Sequence, residues 1–185
     1  MRRSRVEKST PDLLVAAAAK EFQEHGYGGT DTNKIARRAG FAPQTFYRWF
    51  QDKTEIFVAV YRTWARDQSR RLDLLWSRNA SDDELIDAVI ANHRAYHIFR
   101  RSLRQLTVED DAVRKARAAS RLEQIKSIKA RYKPLRRSKA EIAIFIFEHE
   151  RLCDALADGE VSDLGVDESA IRAHLRELYR RLRSR

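Results

Sequence analysis

The 185-residue sequence predicts an all-α protein: a three-helix N-terminal head, a linking helix and a larger helical body. Three observations predict it. Glycine occurs 6 times and proline 3 times, too few to punctuate a chain of short strands and hairpins. No stretch alternates apolar and polar residues for long. Apolar residues recur instead at helical spacing, and a chain of this length can bury one good core or two small ones.

The elements follow in order. Thr10 before Pro11 reads as an N-cap and first-turn proline; Leu14, Ala17, Ala18 and Phe22 share a face, and Gly26 closes the helix. After the turn from Gly26 to Gly29, Thr30 or Asp31 caps a second, short helix through Ala39, which Gly40 breaks. Pro43 opens a third short helix, whose Phe46, Trp49 and Phe50 are expected to face the first two. Asp52 and Glu55 read as a capping box, and Ile56, Val60, Tyr61 and Trp64 carry a fourth helix towards Leu74, linking head to body. Helical periodicity then runs from Asp83 to Leu103, followed by a broken helix from Val108 to Tyr132 stopped by Pro134. Two long helices, Ser138 to Ala157 and Asp167 to Leu182, complete the body. The expected division is a head over 1–53, with its core at 10–53, and a body over 54–185.

Lys and Arg number 37 against 27 Asp and Glu, a net charge of +10 that favours polyanionic partners. Residues 1–53 carry 10 basic and 6 acidic side chains and residues 54–185 carry 27 and 21, so the excess is spread along the chain. A lone cysteine, Cys153, forms no intrachain disulfide, and the N-terminus has no apolar signal-peptide core, so the cytoplasm is the expected compartment. The longest apolar run, Ile142 to Phe147, is far shorter than the roughly 20 residues that span a bilayer, so no membrane partner is expected.

Thr32 to Gln51 reads TNKIARRAGFAPQTFYRWFQ, with Ile35, Ala36, Ala39, Phe41, Phe46 and Trp49 as its apolar set. Ala36 is small where two helices would cross, and Gly40 permits positive φ at the break, which are the geometric demands of a helix-turn-helix. A steep crossing leaves the start of the second helix projecting, and Pro43, Gln44, Thr45 and Arg48 occupy that surface, where side chains can enter a major groove.

The run HGYGGTDTNKIARRAGFAPQTFYRWFQDKTEIF, His25 to Phe57, resembles the TetR (AcrR-like) family of regulators. The resemblance implies that Thr30 and Lys34 touch phosphates, that Gln44, Thr45 and Arg48 lie along base edges, that Tyr47 reaches a phosphate, and that Lys53 meets backbone at the start of the fourth helix. Their chemistry agrees: Gln44 can pair bidentately with adenine, Arg48 can read guanine or hold phosphate, and Lys34 and Lys53 are cations. Ala42 departs from the family, which commonly places a capping serine there, and the lost hydrogen bond costs about 1 kcal/mol.

For the body, the resemblance implies that the last two long helices pair with a partner's across a homodimer interface. Independently, the helix from Ser138 is apolar almost all round its first half, so two faces need cover. Ile142, Phe145, Ile146, His149 and Leu152 with Ile171, Leu175, Leu178 and Leu182 are the expected interface residues. Trp64, Trp76, His93, Tyr96, His97, Phe99 and Phe147 mix aromatic surface with polar tips and are the expected ligand-pocket residues. His93 and His97, four apart on one expected helix, also suit zinc, but no Glu follows His93 in the metalloprotease pattern and no cysteines assist, so no metal or cofactor is expected.

The whole then reads as a transcriptional repressor released from a near-palindromic double-stranded DNA operator by an unidentified small-molecule effector. The alternative is a DNA-binding regulator controlled by a protein partner with no small-molecule inducer. An enzyme is not expected, since the chain lacks a G-x-S-x-G elbow, a phosphate-cradling glycine loop and a paired metal motif.

Overall fold

The computed structural model describes residues 9–131 and 137–184. Within them every regular element is an α-helix: α1 (Thr10–His25), α2 (Thr32–Arg38), α3 (Pro43–Tyr47), α4 (Lys53–Ser77), α5 (Asp82–Ala95), α6 (His97–Glu109), α7 (Asp111–Arg131), α8 (Lys139–Asp158), α9 (Glu160–Asp163) and α10 (Glu168–Arg183). None of the described helices is long and apolar enough to cross a membrane. The stop expected around Tyr132 and Pro134 lies outside the described residues.

Most helix starts are set by side chains that take up otherwise unpaired first-turn amides. Asp31 accepts from the Lys34 amide, Asp52 from Glu55, Ser81 from Glu84 and Ser138 from Glu141, at 2.8 to 3.3 Å. Ser9, rather than Thr10, caps α1, its amide donating back to the Asp12 carboxylate at 3.2 Å.

Two breaks differ from the sequence reading. The helix expected from Asp83 to Leu103 is divided at Tyr96, whose φ of −116° and ψ of 20° turn the chain without glycine or proline. The Arg94 carbonyl is satisfied there by His97 Nδ1 at 2.9 Å. Conversely α7 runs unbroken, because Asp110 accepts from the Ala112 and Val113 amides and starts it cleanly.

The first core cluster contains Leu14, Phe22, Ile35, Phe46 and Phe57 from the head side together with Phe99, Leu103, Leu106 and Val113 from α6 and α7. Phe57 joins them, lying 5.0 Å from Phe22, 5.4 Å from Tyr27 and 5.1 Å from Phe99 between ring centroids. α4 is therefore not alone in spanning head and body. Gln23 donates to the Ala95 carbonyl at 3.1 Å, and the Tyr27 amide donates to Ser102 Oγ at 2.9 Å, so α5 and α6 grip α1 directly.

The remaining core lies between α5, α8 and α10, with a smaller patch under α7. Here the interface expected from sequence needs correction. Ile142, Ile146, His149, Leu175, Leu178 and Leu182 are buried inside the protomer, and Phe145, Leu152 and Ile171 pack half-buried on the same cores. On α8 the outward residues are Ile144 and Phe147, 61% and 52% exposed. The inward stripe is the longer apolar one because α5, α7 and α10 together need it for their own cover.

A polar cluster sits within this packing. His93 Nδ1 donates to Asp154 Oδ1 at 2.9 Å; the carboxylate can only accept, which fixes the proton on that nitrogen. Arg100 Nε donates to the same oxygen at 2.7 Å, and Arg104 reaches Asp154 Oδ2 at 3.0 Å. Burial raises the Asp154 carboxyl, but the bonds from His93 and Arg100 hold it well below the usual carboxylate range. Burial also outweighs Asp154 at His93, whose pKa is lowered, and pushes His149 down to about 4. Cys153 is fully buried nearby, its thiol pushed up to about 12 by burial.

Both histidines make stability fall on acidification. The unfolded chain takes up their protons near pH 6.5, whereas folded His149 stays neutral down to about pH 4. Stability is therefore full above pH 6.5 and lost as the pH falls towards 4, by roughly 3 kcal/mol at most for His149. Urea denaturation at stepped pH is expected to show this decline, with a shallower slope between pH 6.5 and 4 for His149→Gln; an unchanged slope would contradict it.

Candidate nucleic-acid interface and effector cavity

The head presents one irregular surface, and its geometry follows from three local constraints. Gly40 adopts φ +82°, the left-handed conformation that lets α2 turn into α3, and the Phe41 amide closes the turn on the Ala36 carbonyl at 2.9 Å. Gly29 is required by crowding, since a Cβ there would lie 2.3 Å from the His25 carbonyl oxygen. Ala42 occupies the N-cap of α3 with extended backbone and no side-chain bond, while Pro43 presets the first turn.

α3 is only five residues long, so Phe46 and Phe50 are buried but Trp49 is not. Trp49, expected in the core, falls in the turn beyond the helix and is 51% exposed. Gln44 and Arg48 are exposed, and Pro43 and Thr45 are half-buried. Tyr47 is 58% exposed, its hydroxyl 2.9 Å from Thr32 Oγ1, a tether that restrains the ring on the α2 side. Lys34 is exposed and donates to the Gly29 carbonyl at 3.1 Å.

Two residues expected to meet phosphate or DNA backbone are engaged internally. Thr30 is 4% exposed and donates to Glu21 Oε2 at 2.6 Å. Lys53 donates to the carbonyls of Tyr27 at 2.8 Å and Thr30 at 3.0 Å and lies over the Tyr27 ring, and burial lowers its pKa. Together they pin the glycine turn to α4. Glu21, which sequence reasoning missed, also accepts from Arg38 at 3.0 Å, tying α1 to α2. A carboxylate beside Ala18 and Phe22 on an otherwise apolar face was the available signal.

In the body, α4, α5, α6, α7, α8 and α10 line a cavity of about 120 Å³. Of the expected pocket residues, Trp64, Trp76 and His93 line it. Tyr96 and Phe99 do not: they border a separate groove between α1 and α4, and Phe99 is otherwise packed in the core. His97 lines neither. Phe147 points outward, with the Arg121 guanidinium 4.5 Å above its ring. The break at Tyr96 explains His97, because it opens a new helix and no longer shares a face with His93. The sequence reading did not identify Asn92, Arg100, Gln124, Ser127 and Glu150 as pocket residues, and it placed Phe145 and His149 in a dimer interface.

Residues 14–60 match the family model described as bacterial regulatory proteins, tetR family. That segment contains α2 and α3 with the turn at Gly40. Over these residues, about a quarter of the chain, the protein is similar to the TetR family of transcriptional regulators. Beyond the head, the likeness is one of fold. A TetR-family regulator from Rhodococcus sp. superposes over 95% of this chain and 98% of its own with a TM-score of 0.72 at 17% identity. FadR from Bacillus subtilis, in complex with stearoyl-CoA, covers 93% of this chain and 97% of its own with a TM-score of 0.52 at 17% identity. In sequence, the fatty acid metabolism regulator protein of Bacillus subtilis is 28% identical over 80 residues, which span 43% of this chain and 41% of that relative.

Within this TetR-like head the uncapped start of α3 is a local weakness with a defined remedy. Ala42→Ser restores the missing acceptor and is expected to stabilise the protein by about 1 kcal/mol. Thermal denaturation should then show a midpoint about 2–4 °C higher; an unchanged midpoint would mean that the α3 amides are already satisfied.

Proposed function

We propose that the protein is a homodimeric transcriptional repressor whose head, residues 1–53 with its core at 10–53, holds a near-palindromic operator, and whose body, residues 54–185, binds a small molecule that releases it. The observation that carries the reading is the surface of α3 and its C-cap, where Gln44, Tyr47 and Arg48 are exposed and Thr45 is half-buried on a family-matched scaffold. Pro43 sets that helix's direction. Gln44, Thr45 and Arg48 serve as base-edge groups, and Tyr47 and Lys34 as phosphate groups. Thr30 and Lys53 act from behind, holding the glycine turn in shape.

The cavity in the body supports control by a small molecule rather than by a protein partner. FadR with stearoyl-CoA is a neighbour of the same fold that carries a ligand. Dimerisation is assigned to the outward face of α8 and α10, centred on Ile144 and Phe147, because these are large apolar residues with little cover in the protomer.

Selection from a random DNA library with the purified protein tests the reading. A preferred near-palindromic sequence is expected; no preference would sink it. Against the best site, Tyr47→Phe should weaken all sequences alike, and Gln44→Ala should relax preference at one position per half-site, each by about 1–3 kcal/mol. Light scattering should give twice the 21.6 kDa chain mass for the wild type and the single-chain mass for the double variant Ile144→Asp and Phe147→Asp.

A further inference from the structure

The groups around the body cavity specify a ligand class. Its volume of about 120 Å³ is on the scale of a single aromatic ring, since a dry cavity of about 150 Å³ accommodates benzene. Much of its wall is aromatic, with Trp64, Trp76 and Phe145 among the lining side chains. Among the described residues, the indole N–H groups of Trp64 and Trp76 and the Asn92 carbonyl oxygen are buried without a hydrogen-bond partner. Buried polar atoms are nearly always paired. Trp64 and Asn92 border this cavity and the groove between α1 and α4 alike, whereas Trp76 lies twelve residues along α4 from Trp64, about 18 Å away, so it is the Trp64 and Asn92 atoms that point to one missing ligand group.

The charges present in the wall are already committed. Arg100 donates to Asp154 at 2.7 Å, Glu150 accepts from Arg121 at 2.5 Å and from Arg117 at 3.2 Å, and Asp73 accepts from Arg131 at 2.8 Å. A charged ligand would have to break one of these pairs or be buried without a counter-ion, and either is costly.

We propose that the cavity takes an uncharged, single-ring aromatic molecule bearing a hydroxyl, of the phenol class. Its oxygen accepts from the Trp64 indole N–H and its proton goes to Asn92 Oδ1, while the ring fills the aromatic wall. This rests on the body-ligand reading above and narrows it, because the cavity in this form has no room for a long acyl chain.

The test is a titration of the full-length ¹⁵N-labelled protein with phenol, benzoate, benzylamine and toluene, reading the indole N–H signals. Phenol is expected to shift the Trp64 signal saturably and leave that of Trp49, on the head surface, in place. Benzoate and benzylamine should bind at least about tenfold more weakly. Trp64→Phe and, as a second variant, Asn92→Leu should each weaken phenol about fivefold while leaving toluene binding unchanged, as loss of one hydrogen bond requires. Absence of a phenol shift, or equal binding of the charged rings, overturns the assignment. Operator release followed in parallel separates the two readings. Phenol seated in the cavity without release supports this ligand class and overturns the effector role. Release by stearoyl-CoA with no response to phenol overturns the ligand class and leaves the effector role standing.

Discussion

Asp154 is a carboxylate taken out of water where α5, α6 and α8 meet, and the body is arranged around the cost of putting it there. A buried ion is tolerated only when it is compensated, and Asp154 achieves this with one donor from α5, His93, one from α6, Arg100, and an ion pair with Arg104 at 3.0 Å. The geometry that satisfies it therefore also fixes the mutual placement of three helices. Removing one partner from such a site leaves a charge without compensation, which costs more than the hydrogen bond itself. The short, directional bonds explain why this part of the body is one arrangement rather than several of similar energy.

The same constraint reaches the DNA-binding surface through α6. Arg100 and Leu103 border the cavity, while Phe99 packs on Phe57 and Ser102 holds the Tyr27 amide at the end of α1. One helix thus faces the cavity on one side and the head on the other. α4 offers a second route, since Trp64 borders the cavity and the same helix begins at Lys53, which pins the glycine turn. A ligand changes head spacing only through different affinity for two arrangements of these helices. Both routes converge on Phe57, Tyr27 and the turn ahead of α2.

The helical class, the order of elements and the helix-turn-helix were legible because they rest on local chemistry. Gly40 at positive φ, Pro43 at the start of α3, and capping by Asp31, Asp52, Ser138 and Asp167 are each readable within a few residues. The break at Tyr96 was not, since neither glycine nor proline marks it and the Arg94 carbonyl is satisfied by a histidine that sequence reading assigned elsewhere. Burial was legible on α8 but its destination was not. Ile142 and Ile146 differ from Ile144 and Phe147 only in facing α7 and α10, and that depends on helices far along the chain. The cavity was half legible: its aromatic residues stood out, but Asn92, Gln124 and Ser127 are ordinary polar residues until the fold points them at the same space.

Net charge also reads differently once the pairs are known. A surplus of +10 suggests a broadly cationic surface, yet four arginines are taken up in holding α5 to α10. Arg172 meets Asp87, Arg176 meets Asp83, Arg183 meets Asp82, and Arg94 returns the contact to Glu168. In the head, Arg38 is taken by Glu21 and Glu24 and Lys53 by backbone carbonyls. Exposed pairs of this kind contribute little stability individually, but each lowers the number of cations free to displace counterions from DNA. Among the described residues of the head, Lys34, Arg37 and Arg48 are exposed cations that stand outside these pairs.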